Sequence, residues 1–283
     1  MTGTTIAPAP GGSVGLAGGS GQTRANRIRW MISDASTVTW RNLISYTRIP
    51  DAIFFSSIQP IMFVLLFRYV FGGVIHVPGA TYVNYLMAGV FVQTVMFGAV
   101  STSVGLAEDL HKGLIERFHA LPMARSAVLA GRTTADLVRN VGVVLLITAV
   151  GSLVGFRVQT SALSFIAGLL LILLFAYAVS WGFAIIGLSA SNSETAQLAA
   201  FPVLFPLTFA SSAFVPVTSM PGWLQAFAVH QPVSQVIDAS RELMLGGKSA
   251  LWSTSNVWQA LAWAVGILVI VAPIAVWRYR RAA

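Results

Sequence analysis

The sequence contains no cysteine and very little charge. Only 9% of its 283 residues are charged, while 56% are hydrophobic. A soluble domain carries about 25% charged residues, because polar groups must cover its surface. The low charge therefore excludes an ordinary soluble protein, and the absence of cysteine excludes a disulfide framework, a thiol nucleophile and a thiolate metal site. The composition favours a protein whose surface faces lipid.

Sequence motifs for catalysis or nucleotide binding are missing as well. No H-E-x-x-H pattern occurs, and the four histidines are scattered. The run from Gly246 to Ser249 resembles the end of a phosphate-binding loop, but that pattern requires a glycine where Glu242 stands. We predict that the chain is not an enzyme by itself, binds no cofactor or metal, and hydrolyses no ATP.

Long apolar segments predict an all-α polytopic membrane protein. A helix needs roughly 20 apolar residues to cross a bilayer, and the sequence has no charged residue between positions 158 and 193. Six transmembrane helices are predicted, over residues 53–71, 82–106, 137–156, 163–189, 195–217 and 257–277. Before the first of them, residues 32–49 mix aromatic and basic side chains, which is typical of a helix lying in the membrane interface.

The basic residues predict the orientation of the chain in the membrane. With the N-terminus inside, thirteen of the 17 lysines and arginines fall on the cytoplasmic side, as the positive-inside rule requires. The formal charge of +8 thus serves topology, and we expect no nucleic-acid partner. Residues 1–22 lack charge and the features of a signal peptide, so we expect a disordered cytoplasmic tail. We expect residues 23–283 to form one transmembrane domain in the plasma membrane, with both termini cytoplasmic.

The segment between the fifth and sixth predicted spans is too interrupted to cross the membrane. Residues 218–247 are half apolar but contain Pro221, Pro232 and the pair Gly246-Gly247. Broken backbone is tolerated at membrane depth only inside protein or beside water. We therefore predict a re-entrant pair of short helices on the outer side. An amphipathic outer loop is the alternative.

The loop after the second predicted span contains an amphipathic pattern. Apolar residues recur at helical spacing from Leu110 to Leu121, and Pro122 would end such a helix. Two interpretations are open: a solvated helix that only connects two spans, or a helix that docks into a partner protein.

Two motif regions resemble one family of membrane proteins. Glu108, Gly113, Glu116 and Leu121-Pro122, followed by residues 125–132, resemble the cytoplasmic loop of ABC-2 type exporter permeases. The outer segment of such permeases is similar to Phe214-Val-Pro216, residues 220–223 and 230–234, Asp238, Arg241 and Gly246-Gly247. The resemblance extends from about residue 30 onward, and it is to the daunorubicin- and doxorubicin-resistance branch.

The resemblance implies a function and partners. The chain would be the permease subunit of an ATP-binding cassette exporter, paired with a copy of itself or a homologue, and with cassette subunits that bind ATP and magnesium. Residues 107–122 would contain the helix that couples to the ATPase. The implied coupling residues are Glu108, Asp109, Lys112, Gly113, Leu114, Glu116, Arg117, Phe118 and Pro122. The implied outer motif comprises Pro216, Pro221, Trp223, Pro232, Asp238, Arg241, Gly246 and Gly247.

The expected substrate class follows from the sequence pattern, which indicates no cluster of buried charges. We expect a site that selects by shape and apolar contact, for a lipophilic drug, a lipid or a secondary metabolite. One alternative is an exporter of polysaccharide or teichoic acid with the same architecture. Another, of a different class, is an ATP-independent channel or a membrane scaffold, which would have no reason to carry the coupling motif.

Overall fold

The part of the chain that the structure describes is helical. This computed structural model describes residues 36–40, 44, 50–75, 77, 79–113, 125–246 and 257–281, and it contains no strand among them. The helices are α1 (Pro50–Leu66), α2 (Tyr82–His111), α3 (Arg125–Leu153), α4 (Ala162–Ser189), α5 (Ser193–Phe209), α6 (Gly222–His230), α7 (Pro232–Leu245) and α8 (Val257–Arg281). A π-helical turn, Phe67–Phe71, continues α1, and a 3-10 turn, Val217–Ser219, precedes α6. The predicted all-α class is confirmed.

Four of these helices are long and apolar enough to cross a membrane. They are α2, α3 from Leu129 onward, α4 and α8, and they match the second, third, fourth and sixth predicted spans. The first and fifth predicted spans correspond to α1 and α5, which are shorter, with 17 residues each. The count of six crossings therefore stays a prediction.

Several helix boundaries differ from those predicted. Helix α3 begins at Arg125, twelve residues before the predicted start at residue 137. It ends at Leu153, where Gly155 adopts a φ of +109° and the Phe156 amide donates to the Gly151 carbonyl at 2.8 Å. Helix α2 continues beyond residue 106 to His111. Helix α5 ends at residue 209 rather than 217, so the apolar stretch that follows it is a turn.

Helix α2 lies at the centre of the bundle. It packs most extensively on α4 and also contacts α3, α5 and α7, and most of its residues are buried. The contact with α4 is close because Gly187 has no side chain: a Cβ there would lie 2.3 Å from the carbonyl oxygen of Ser103. Small residues allow such approach between membrane helices.

The described part of the predicted interfacial segment contacts α3. Residues 36–40 and 44 are helical, and the hydroxyl of Thr39 donates to the carbonyl oxygen of Gly131 at 3.0 Å. The remainder of the predicted helix 32–49, the predicted tail 1–22 and residues 114–124 of the cytoplasmic loop lie outside the described residues.

Candidate functional site

A cavity of about 490 Å³ lies between α1, α2, α3 and α5. Its size falls within the range of roughly 300–1,000 Å³ that is typical of small-molecule sites. The wall combines aromatic rings, among them Phe63, Phe97 and Phe201, with amide, hydroxyl and charged side chains. The cavity is thus amphipathic, which suits a ligand with an apolar body and a few polar groups.

One face of α2 forms the longest wall of this cavity. Gln93, Phe97, Ser101, Val104 and Glu108 all line it and recur every three or four residues, the spacing of one helix face. At 1.5 Å per residue, the fifteen steps from the first to the last of these residues cover about 22 Å. The cavity therefore runs from the middle of α2 to its C-terminal end, where the predicted coupling loop begins.

A charged cluster is buried beside the cavity between α2 and α3. The Asp136 carboxylate is fully buried and accepts a hydrogen bond of 2.5 Å from Thr102. One guanidinium nitrogen of Arg139 lies 3.9 Å from that carboxylate, and another donates to the carbonyl oxygen of Gly98 at 2.8 Å. The expectation of a binding site without a charge cluster is wrong here, because α3 begins earlier than predicted and places both charges well inside the helix.

The C-terminal end of α2 contains four of the predicted coupling residues. Lys112 donates to Glu108 at 2.6 Å on an exposed surface, and this hydrogen bond raises the pKa of Lys112. Asp109 accepts a hydrogen bond from Arg132 of α3, and both side chains are largely buried. The two carboxylates thus differ: one is available at the surface, and the other ties α2 to α3.

Gly113 ends α2 for a conformational reason. Its φ is +64°, and its amide donates to the carbonyl oxygen of Leu110 at 3.0 Å. A glycine is favoured there because other residues are strained at positive φ. This requirement exists whether or not a partner approaches the loop. The other coupling residues lie outside the described residues, namely Leu114, Glu116, Arg117, Phe118 and Pro122, so their role stays a prediction.

Four residues of the outer motif mark the ends of short elements. Pro216 and Pro221 immediately precede the 3-10 turn and α6, and Pro232 is the first residue of α7. Gly246 follows α7 with a φ of +63°. Trp223 lies on α6 with its side chain exposed, and Gly247 lies outside the described residues. The two helices α6 and α7 agree with the predicted pair, and their re-entrant placement stays a prediction.

The other two motif residues form a buried ion pair that holds the turn after α5. Arg241 is completely buried and binds the carboxylate of Asp238 at 2.8 Å. Its guanidinium also donates to the carbonyl oxygens of Tyr85 at 2.9 Å and Ser212 at 2.6 Å, and it lies 3.5 Å from the centre of the Tyr85 ring. The Ser212 hydroxyl donates to the same carboxylate at 2.8 Å. Helix α7, the start of α2 and the turn after α5 are thereby joined.

The sequence interpretation missed most of the cavity wall. Gln93 and Gln197 were not singled out, although both line the cavity. A signal was present, because a polar residue within a membrane helix usually faces the protein interior or a water-filled space. Pattern alone does not say which of the many polar residues in the spans share one space.

Comparison with known proteins assigns the family. The model of the ABC-2 type transporter family matches residues 34–245, and the chain belongs to this family. It is a multi-pass membrane protein of the permease type, and the resemblance noted in the sequence is confirmed.

Individual relatives include permeases of drug-resistance transporters. The chain is 34% identical over 249 residues to the daunorubicin resistance ABC transporter permease protein DrrB1 of Streptomyces coeruleorubidus, which covers 88% of this chain and 87% of the relative. It is 26% identical over 262 residues to the probable doxorubicin resistance ABC transporter permease protein DrrC of Mycobacterium tuberculosis. This match covers 91% of this chain and 92% of the relative. A putative transport permease, ycf38, of Pyropia yezoensis is 25% identical over 242 residues, covering 82% and 80%.

Proposed function

We propose that this chain is the membrane-spanning subunit of an ATP-binding cassette exporter that moves a lipophilic drug, a lipid or a secondary metabolite outward. The observation that carries the proposal is the amphipathic cavity, which reaches along α2 to the predicted coupling loop at Glu108. The names of two relatives, which mention resistance to daunorubicin and doxorubicin, support an amphipathic drug as substrate. ATP and magnesium bind to a separate subunit, so the chain itself is not catalytic.

The proposed topology has six crossings with both termini in the cytoplasm. Helix α1 with its π-helical turn extends over 22 residues, from Pro50 to Phe71, and α5 has 17 residues. These two supply the first and fifth crossings. Helices α6 and α7 form the re-entrant pair on the outer side, and the burial of most of α7 within the bundle supports this placement. A second copy of the chain, or a homologue, completes the transport path.

The proposed coupling acts through α2 and α3 together. A helix of 30 residues is about 45 Å long and behaves as a stiff rod. The ion pair between Asp109 and Arg132 joins the end of this rod to α3. A push on the loop by the ATPase would therefore displace two walls of the cavity at once. This gives closure of the ATPase a direct mechanical path to the substrate.

ATP-dependent transport into inverted membrane vesicles tests the proposal. Vesicles from cells that produce this chain with its cassette ATPase should accumulate daunorubicin with ATP and not with a non-hydrolysable analogue. The variant Glu116→Lys, which reverses a charge in the loop, should insert normally and lose this uptake. Uptake of a hydrophilic polysaccharide alone would contradict the substrate class, and uptake without ATP would favour a channel.

A further inference from the structure

Each of the four helices around the cavity contributes one carboxamide side chain to its wall. The residues are Gln59 on α1, Gln93 on α2, Asn140 on α3 and Gln197 on α5. A carboxamide offers hydrogen-bond donors and acceptors without charge. Four such groups around one cavity form an uncharged polar surface, in contrast to the ion pairs nearby.

Two of these amides are buried and incompletely hydrogen-bonded. Gln93 and Asn140 are 3% and 2% exposed, yet the Oε1 atom of the first and the Nδ2 atom of the second have no partner. Buried polar atoms are normally paired, because leaving one unpaired is destabilising. An unpaired acceptor and an unpaired donor in the wall of one cavity point to a ligand that pairs with both.

The charges that line the cavity, in contrast, already have partners. Arg132 binds Asp109, and Arg139 lies 3.9 Å from the Asp136 carboxylate. The lining carboxylate of Glu108 is held by Lys112 at 2.6 Å. Within the described residues, the charged groups of the cavity are thus compensated in pairs. The Nε atom of Arg132 is a further buried donor without a partner, and a carbonyl oxygen would satisfy it.

Aromatic rings provide the apolar part of the same wall. Phe97 and Phe201 line the cavity, and both are positioned by Phe205, whose ring centre lies 6.0 Å and 5.5 Å from theirs. Such rings favour stacking or edge contacts with a flat ligand. The cavity therefore combines aromatic surface with unpaired amide groups.

We propose that Gln93 and Asn140 form a subsite that recognises the uncharged carbonyl and hydroxyl groups of a flat amphipathic substrate. The inference rests on the proposed function, and it adds which chemical groups of the ligand the chain recognises. Recognition depends on neutral hydrogen-bonding groups, and a cationic group on the ligand is not required.

Equilibrium binding to the complex tests this subsite. The full-length chain with its ATPase, in lipid nanodiscs, is titrated with daunorubicin and with its sugar-free aglycone, which keeps the ring carbonyls and hydroxyls but lacks the cationic amino sugar. Both probes should bind. Gln93→Met and Asn140→Leu should each weaken both probes about three- to tenfold, as expected for one lost hydrogen bond. Thr148→Val is the matched control, because this hydroxyl lies outside the cavity and bonds the carbonyl oxygen of Val144.

Thermal melting without a probe separates recognition from a structural role. Since the two amide atoms are unpaired, their replacement by apolar groups of similar size should leave the melting temperature unchanged or raise it. A lower melting temperature of both variants would overturn the inference. Unchanged affinity in both variants would overturn the subsite while leaving the proposed function intact. Binding of daunorubicin without binding of the aglycone would show that the chain recognises the cationic amino sugar instead, and this would overturn the inference. Binding of neither probe would contradict the proposed substrate class as well.

Discussion

Replacing Arg241 by methionine should destabilise the outer part of the bundle strongly. The change removes the ion pair to Asp238 and the hydrogen bonds to the carbonyl oxygens of Tyr85 and Ser212. It also leaves a buried carboxylate without its counter-charge. Removing one partner of a buried pair typically costs about 3–5 kcal/mol. For a chain of this size, we expect the melting temperature to fall by about 10 °C.

The measurement is thermal unfolding of the purified chain in one detergent at one heating rate, because unfolding of such proteins is often irreversible. The exposed guanidinium of Arg157 donates to the nearby carbonyl oxygens of Ser152 and Phe156, so Arg157→Met should melt within about 2 °C of the unmodified protein. Combining Arg241→Met with Asp238→Asn removes the uncompensated charge and should recover part of the loss. If Arg241→Met melts like Arg157→Met, the buried cluster does not hold α7 to α2.

Four further substitutions test the packing and the end of α2. Gly187→Val places a side chain against the Ser103 carbonyl, so the yield of folded protein should fall sharply; a normal yield would exclude close contact of α2 and α4. Asp109→Asn and Arg132→Met should each cost about 1–3 kcal/mol, and the double variant should cost less than their sum; full additivity in melting experiments would mean that the pair does not interact. Gly113→Ala should cost about 1–2 kcal/mol through positive φ, and unchanged stability would contradict the helix end described above.

The apolar pattern predicted the long helices because a membrane-spanning helix is recognisable from its length and apolar composition. Helix α4 contains no charged residue. It begins one residue before the predicted start and ends at the predicted residue. The start of α3 was misplaced since Asp136 and Arg139 resemble the charges that end a span. Their burial depends on Thr102 and the Gly98 carbonyl of another helix, and no local pattern reveals such partners.

The sites were predictable to different degrees. The recognised outer motif includes Asp238 and Arg241. The guanidinium of Arg241 also donates to the backbone carbonyl oxygens of Tyr85 and Ser212, and such backbone partners leave no trace in the sequence. The cavity residues on α2 follow a helical spacing. In the sequence, this face cannot be told from the other buried faces of α2, because small and apolar residues occur on all of them. Only the packing of four helices separates the cavity face from the others.

Co-purification of the cassette ATPase tests the central claim most directly. The chain is isolated from native membranes in mild detergent, and residues 114–122 are replaced by a Gly/Ser linker of equal length. This replacement leaves α2, Gly113 and the pair of Asp109 with Arg132 in place. An equal exchange of residues 248–256, on the proposed outer side, is the control. We predict a stoichiometric ATPase with the unmodified chain and with the control, and its loss with the loop variant. Purification of the unmodified chain without any ATPase, or retention of the ATPase by the loop variant, would contradict the account.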